Sequence, residues 1–295
     1  MEYPGIMLLS LTGDNFEVKP GLAKAILPEE TEKDYYKWAS NSHRSREFAL
    51  ALEERILEPI KNGMLIVKRP DGSVKFDDRK LRFDSYTQEE DGQYTIYAGP
   101  THFGEMKSVD VKAMKDPAFS ESIAQRGLAD FNDRSAYFSS CFAVNAVPLT
   151  EDGSLHLFKR SEKSEIYPGH WHVIGGMLDT DLTFFNTGNP TASLKDLVLN
   201  RIKAEFKEET SAEQVRFQLT GLVRSLPSTA DFTYIARIPM NSKEFVDLSK
   251  SAEDSADHQD IMVLSSREEV TSFLKGSERI TPTGYGSLVQ YLKAS

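Results

Sequence analysis

Near residue 205 the chain carries three glutamates, Glu205, Glu208 and Glu209, spaced to share one side of a helix. At about 3.6 residues per turn, positions three and four apart face the same way, so these carboxylates converge while Lys207 points elsewhere. Like charges held that close repel unless a cation neutralises them. Carboxylate oxygens suit hard ions such as Mg²⁺ or Mn²⁺, and Mg²⁺ commonly shares one or two carboxylates with substrate phosphates and water. The chemistry this pattern points to is metal-assisted work on a phosphate.

The elements that must position these acids are legible around them. Leu194, Val198, Ile202 and Phe206 recur every fourth residue, with Leu197 beside them, which makes an apolar docking ridge on another face of the same helix. Thr191 or Ser193 offers an N-cap, and Ser193 with Asp196 resembles a capping box with Asp in place of Glu. Upstream, residues 155–160 read as a strand ending in the basic pair Lys159-Arg160, and residues 169–176 run through Trp171 to the pair Gly175-Gly176.

Taken in order, that strand, the basic pair, Trp171, the double glycine and the acidic helix resemble the Nudix box region of the Nudix hydrolases. The family pattern R-E-U-x-E-E-x-G-U, with U a bulky apolar residue, is met by Ala204-Glu205-Phe206-Lys207-Glu208-Glu209-Thr210-Ser211-Ala212. Ala204 replaces the arginine, Ser211 replaces the glycine, and Ile174 stands where a proline is common. An insertion of about residues 179–190 separates the glycines from the helix. Counting back from Glu205 puts Asp196 in the place of the first box glutamate, whereas counting forward from the glycines favours Asp179. Arg201, one turn before Glu205, either supplies the orienting charge that Ala204 lacks or is a surface ion pair.

The resemblance implies an α+β chain whose main domain is an α/β/α sandwich with a mixed sheet. It implies Glu205, Glu208 and Glu209, with the backbone at Gly176, as the site of Mg²⁺ or Mn²⁺, and Lys159 or Arg160 as phosphate contacts. The general base is Glu205 or a downstream acid, Asp231, Asp257 or Asp260. The layout, a smaller α+β domain over 1–133 and a Nudix domain over 134–295, is similar to the vertebrate Nudix pyrophosphatases that hydrolyse UDP-glucose and UDP-galactose. The parallel extends to Lys80-Leu81-Arg82-Phe83-Asp84-Ser85 and Thr281-Pro282-Thr283-Gly284-Tyr285-Gly286. It implies cleavage of a UDP-sugar to UMP and sugar 1-phosphate, with a recognition role for the leading domain. ADP-ribose, dinucleotides and CoA derivatives are the alternative substrates. A non-catalytic nucleotide-binding module is the reading from another class, motivated by Ala204 and Ser211.

The whole chain narrows the partners. Its formal net charge of -10, with acids and bases interleaved, disfavours nucleic acid and anionic membranes and leaves a small phosphorylated ligand. No apolar run approaches the roughly 20 residues needed to cross a bilayer. The single Cys141 cannot form an internal disulfide, which fits a reducing, cytoplasmic setting. His170 and His172, two apart on a strand, raise a zinc reading, against which Trp171 packing inward between half-exposed histidines is sufficient. Tyr285 sits in a turn before the last helix or stacks on a base or sugar. Elsewhere the patterns predict helix over 28–61 and 286–293, and strands over 81–86, 94–98, 137–147, 215–226, 231–239 and 261–264. Asp-Gly turns fall at 71–72, 91–92 and 152–153.

Overall fold

Alternating side chains along two neighbouring strands set the architecture. The computed structural model describes residues 6–20, 79–102, 106–164, 166–178, 189–225, 227, 229–276 and 279–294. The helix expected over 28–61, the turn at 71–72 and most of the insertion therefore lie outside the described residues. The strands are β1 (Ile6–Leu9), β2 (Phe16–Pro20), β3 (Arg79–Gln88), β4 (Tyr94–His102), β5 (Phe142–Thr150), β6 (Leu155–Arg160), β7 (Trp171–His172), β8 (Ile174–Met177), β9 (Arg216–Ser225), β10 (Ala230–Ile238) and β11 (His258–Leu264). The helices are α1 (Pro117–Phe131), α2 (Pro190–Thr210), α3 (Ser242–Ser249), α4 (Arg267–Lys275) and α5 (Pro282–Ala294). A short helical stretch over Met106–Val111 and Lys112–Lys115 precedes α1.

The larger sheet runs β1-β9-β10-β5-β6-β11, with β8 added on β5 and β7 on β6; β10 and β5 are parallel and the other pairs antiparallel. Phe142, Val144 and Ala146 of β5 join one buried cluster with Leu194, Val198, Ile202 and Phe206 of α2. Val147 and Leu149 of the same strand join a second cluster with Leu288 and Tyr291 of α5. β10 divides likewise, Phe232 and Tyr234 toward α2 and Ile235 toward α5. Because side chains alternate along a strand, a sheet apolar on both faces needs a layer on each, and the result is an α+β fold with a mixed sheet between helices.

The smaller sheet, β2-β4-β3, shares the first of these clusters. Phe83 meets Phe142 edge-on at 5.8 Å, Phe16 lies 6.0 Å from Phe232, and the Val18 N–H donates to Thr191 Oγ1 on α2 at 2.9 Å. The segment expected as a leading domain over 1–133 thus shares a core with the larger sheet and also gives it β1, which pairs with β9. Pattern along a single strand carries no record of which distant strand it joins. A fully buried Arg82–Asp84 ion pair at 2.7 Å sits where the sheets meet, with the Arg224 guanidinium 4.9 Å from the Phe83 ring. Cys141 is buried there as a thiol, outside any disulfide.

Two expected turns occur: Gly92 (φ +86°) links β3 to β4, and Gly153 (φ +83°) links β5 to β6. The strand predicted from residue 137 begins later, at Phe142, because residues 134–137 form a turn.

Candidate active site

α2 begins on Asn189, whose side chain accepts the Ala192 N–H at 3.0 Å, with Pro190 in the first turn. This replaces the expected caps at Thr191 and Ser193; Thr191 instead ties the helix to β2. The predicted ridge is buried. The helix ends on Ser211, in the left-handed region at φ 60°, with its N–H bonded to Lys207 O at 2.8 Å. Glycine adopts that conformation without the cost a side chain brings.

The last two turns of α2 lie against β8. A Cβ on Gly176 would overlap the Glu205 carboxylate, so the absence of a side chain there is what lets the acid approach the strand. The Gly175 N–H bonds to Glu209, and His258 Nε2 lies 2.9 Å from Glu209 Oε2. Arg201 forms an ion pair with Glu205. Arg160, His172, Gly175, Glu205, Glu209, Asp254 and His258 line one cavity of about 390 Å³ with Ser164. Burial raises Glu205 to about 7, against the pull of Arg201 and reinforced by Glu209, Glu208 and Asp254. Burial also raises Glu209, partly offset by its bond to His258. His172 is pushed well below the ordinary histidine range by burial and then by Arg160 and His258, so it is neutral; its Nδ1 lies 2.8 Å from Thr281 Oγ1.

A second pocket, of about 200 Å³, adjoins the first and shares Arg160, His172 and Gly175 with it. Its floor includes Asn145 of β5 and Asp231 of β10, both buried. Asp231 accepts from Thr229 Oγ1 at 2.7 Å, and burial raises its pKa to about 7 despite that bond.

The structure therefore brings Glu205, Glu209, Arg160 and the double glycine together and disperses other expected residues. Glu208 is half-buried and not on the cavity wall, although its carbonyl accepts the Asp254 N–H at 3.1 Å. Lys159 projects away from Arg160, its Nζ 6.0 Å from the Trp171 ring centre, as strand alternation requires. Asp196 is exposed and, nine residues before Glu205, lies about 180° around the helix. Asp260 is exposed and bonds the Ile261 N–H; Asp257 closes a helical turn just before His258. Tyr285 packs on the α5-side core, outside both cavities. Asp179 lies outside the described residues. Asp254, His258 and Asn145 were not singled out as site residues by spacing, since only tertiary pairing brings them here; the β11–β6 register, His258 opposite Arg160, is what delivers His258.

The donor chemistry fits a hard cation: Glu205, Glu209 and Asp254 face one cavity, and their mutual repulsion is what such an ion relieves. As they stand, Arg201 and His258 engage the two glutamates, and no three acidic, histidine or cysteine side chains among the described residues are gathered at ligating spacing. His170 Nδ1 lies 2.9 Å from the Pro168 carbonyl and His172 is held by Thr281, so the zinc reading gains no ligand set.

No protein-family model matches the chain, and no curated protein does. Among solved structures it is similar to DR0079 from Deinococcus radiodurans, at 14% identity and TM-score 0.35, covering 51% of this chain and 81% of that one. A MutT protein from Methanosarcina mazei matches at 16% identity and TM-score 0.34, covering 52% and 92%. A NUDIX-family hydrolase from Clostridium perfringens matches at 14% and 0.34, covering 52% and 96%. At these values the functional assignment rests on the site.

Proposed function

We propose that this chain is a pyrophosphatase of the Nudix type, acting on a nucleoside diphosphate linked to a second group, a UDP-sugar first among them. The observation that carries it is the meeting of Glu205 and Glu209 with Arg160 in one cavity, against Gly176, whose missing side chain lets Glu205 approach the strand. Glu205 and Glu209, with Asp254 beside them, are the residues to hold Mg²⁺ or Mn²⁺. Such an ion would offset the charge of the phosphoanhydride and favour a hydroxide nucleophile.

The chain's own groups supply the rest. Arg160 is placed to hold a phosphate, fixed by its Nε–H donating to the Ile166 carbonyl at 3.1 Å. His258 holds Glu209 in place, and Arg201 holds Glu205. Burial raises Glu205 to about 7 in the cation-free cavity, and a bound ion would lower it again, so Glu205 would serve as an ionised ligand. Asp231 lies in the adjoining pocket. Met106 and Met114, from the segment before residue 133, line that pocket, which supports a recognition role for the leading segment. The buried Cys141, in no disulfide, suits a reducing, cytoplasmic setting.

A ³¹P NMR screen of nucleotide sugars, ADP-ribose, dinucleotides and CoA derivatives with Mg²⁺ tests the reading: UMP and sugar 1-phosphate should appear from UDP-glucose or UDP-galactose. Glu209→Ala should lower turnover at least a hundredfold while a cooperative thermal melt persists; near-normal turnover in the folded variant would contradict the assignment. The second reading, a non-catalytic nucleotide-binding module, is favoured by the Arg201 ion pair and the His258 hydrogen bond that already occupy the two glutamates. Binding without product across the panel would establish it.

A further inference from the structure

The second pocket holds a buried donor with nothing to bond. Asn145 is 2% exposed, and its Nδ2 has no hydrogen-bond partner among the described residues. Buried polar atoms are almost always paired, so a buried, unpaired amide nitrogen on a residue of the cavity lining marks a place where an acceptor from outside the chain can complete the set. Asp231, 3% exposed, faces the same pocket from the next strand. In the parallel register Asp231 lies opposite Ala143, and Asn145 lies opposite Thr233. The two side chains therefore occupy diagonal positions on one sheet face, a carboxyl acceptor beside an amide donor.

The rest of the pocket is differently made. Met106, Met114, Met177 and Tyr167 line it together with that polar pair. Thioethers make favourable contacts with flat π systems and adapt to their shape. Two of the pocket's hydroxyls are already engaged, Thr229 with Asp231, and Thr281 with His172 and the Gly284 N–H. A sugar ring offers a hydroxyl at nearly every carbon and needs partners all round. A flat ring with a hydrogen-bonding edge and two apolar faces needs what this pocket has. Because Arg160, His172 and Gly175 belong to both cavities, a group seated here can be joined directly to a phosphate held at Arg160.

We infer that this pocket holds the nucleobase of the ligand, with Asn145 and Asp231 reading adjacent donor and acceptor atoms on the ring edge while the methionines lie against its faces. The inference rests on the nucleoside diphosphate reading of the neighbouring cavity and assigns which end of the ligand lies where. Asn145 and Asp231 become specificity-determining residues that take no part in the proton transfer.

Calorimetric titration of the full chain with UMP, CMP, AMP, GMP and glucose 1-phosphate, each with Mg²⁺, tests it. The wild-type protein should prefer one base. Asn145→Asp and Asp231→Asn keep side-chain shape while altering the donor and acceptor pattern. Each should weaken the preferred nucleotide about tenfold, change the ranking of bases, and leave glucose 1-phosphate binding as it was. Thermal melts establish that the variants fold. Should either fail to, Met114→Ala, on the thioether wall, should weaken all four nucleotides alike and spare glucose 1-phosphate. An unchanged ranking in the folded variants, loss of glucose 1-phosphate binding with the nucleotides untouched, or no nucleotide binding by the wild type would each overturn the inference. Absent turnover with base-selective binding intact would remove the hydrolase reading alone, whereas normal turnover with base-indifferent binding would remove this one alone.

Discussion

Gly175 and Gly176 are adjacent and chemically identical, yet they do different things. A methyl group on Gly176 meets the flexible end of Glu205, whereas one on Gly175 meets the Val144 carbonyl and Asn145 of β5. The first obstacle can swing aside at the expense of the site; the second is backbone and cannot. Gly176→Ala should therefore lower turnover at least tenfold with only a small fall in melting temperature, and Gly175→Ala should lower the melting temperature by several degrees. Paired activity assays and thermal melts on the two variants check this, and equal effects in both would contradict it.

α2 shows how a helix's local signals and its site obligations meet at one terminus. Ser211 occupies a left-handed C-terminal position at φ 60°, which a residue with a side chain adopts at some cost. Ser211→Gly should accordingly raise stability, by about 0.5 kcal/mol, without moving the glutamates one turn earlier. A denaturant titration checks it; a destabilised glycine variant would mean that the serine side chain has a bond worth more than the backbone strain. The Glu205–Glu209 pairing, the apolar ridge and the glycine pair are legible because their meaning lies in spacing of four residues or fewer, whereas the expected convergence of Glu208 with them does not occur on the cavity wall. Several polar residues precede the ridge, so spacing alone leaves the N-cap open among them, and only the folded chain shows that Thr191 bonds to β2. Asn145, Asp254 and His258 were illegible for a different reason. Asn145 and His258 reach the site through the β5–β10 and β6–β11 registers, and Asp254 through its N–H bond to the Glu208 carbonyl; a strand's own sequence does not encode its partner.

At the scale of the molecule, buried ionisable groups pull the pH dependence of stability in opposite directions. Folded Asp231 keeps its proton to about pH 7, against 3.8 when unfolded, so the folded state binds the extra proton across that interval and loses stability as pH rises through it. Folded His156, buried beneath α3 with Nε2 2.9 Å from Ser242 Oγ, is lowered to about 4, so its contribution is lost as pH falls from 6.5. Asp231→Asn should raise the melting temperature by a few degrees at pH 8, with the gain fading by pH 4.5; a gain of the same size at both values would contradict the assigned ionisation. One strand bears on how the chain reaches this state at all. β1 pairs Ile6 with Ser225, so the outer border of the large sheet is completed by residues made long before their neighbours. Closing so wide a loop places that pairing late in folding, and until then β9 offers an open row of amides to any extended chain that arrives first. Yield and oligomer content on refolding should therefore depend on protein concentration more than the finished surface would imply.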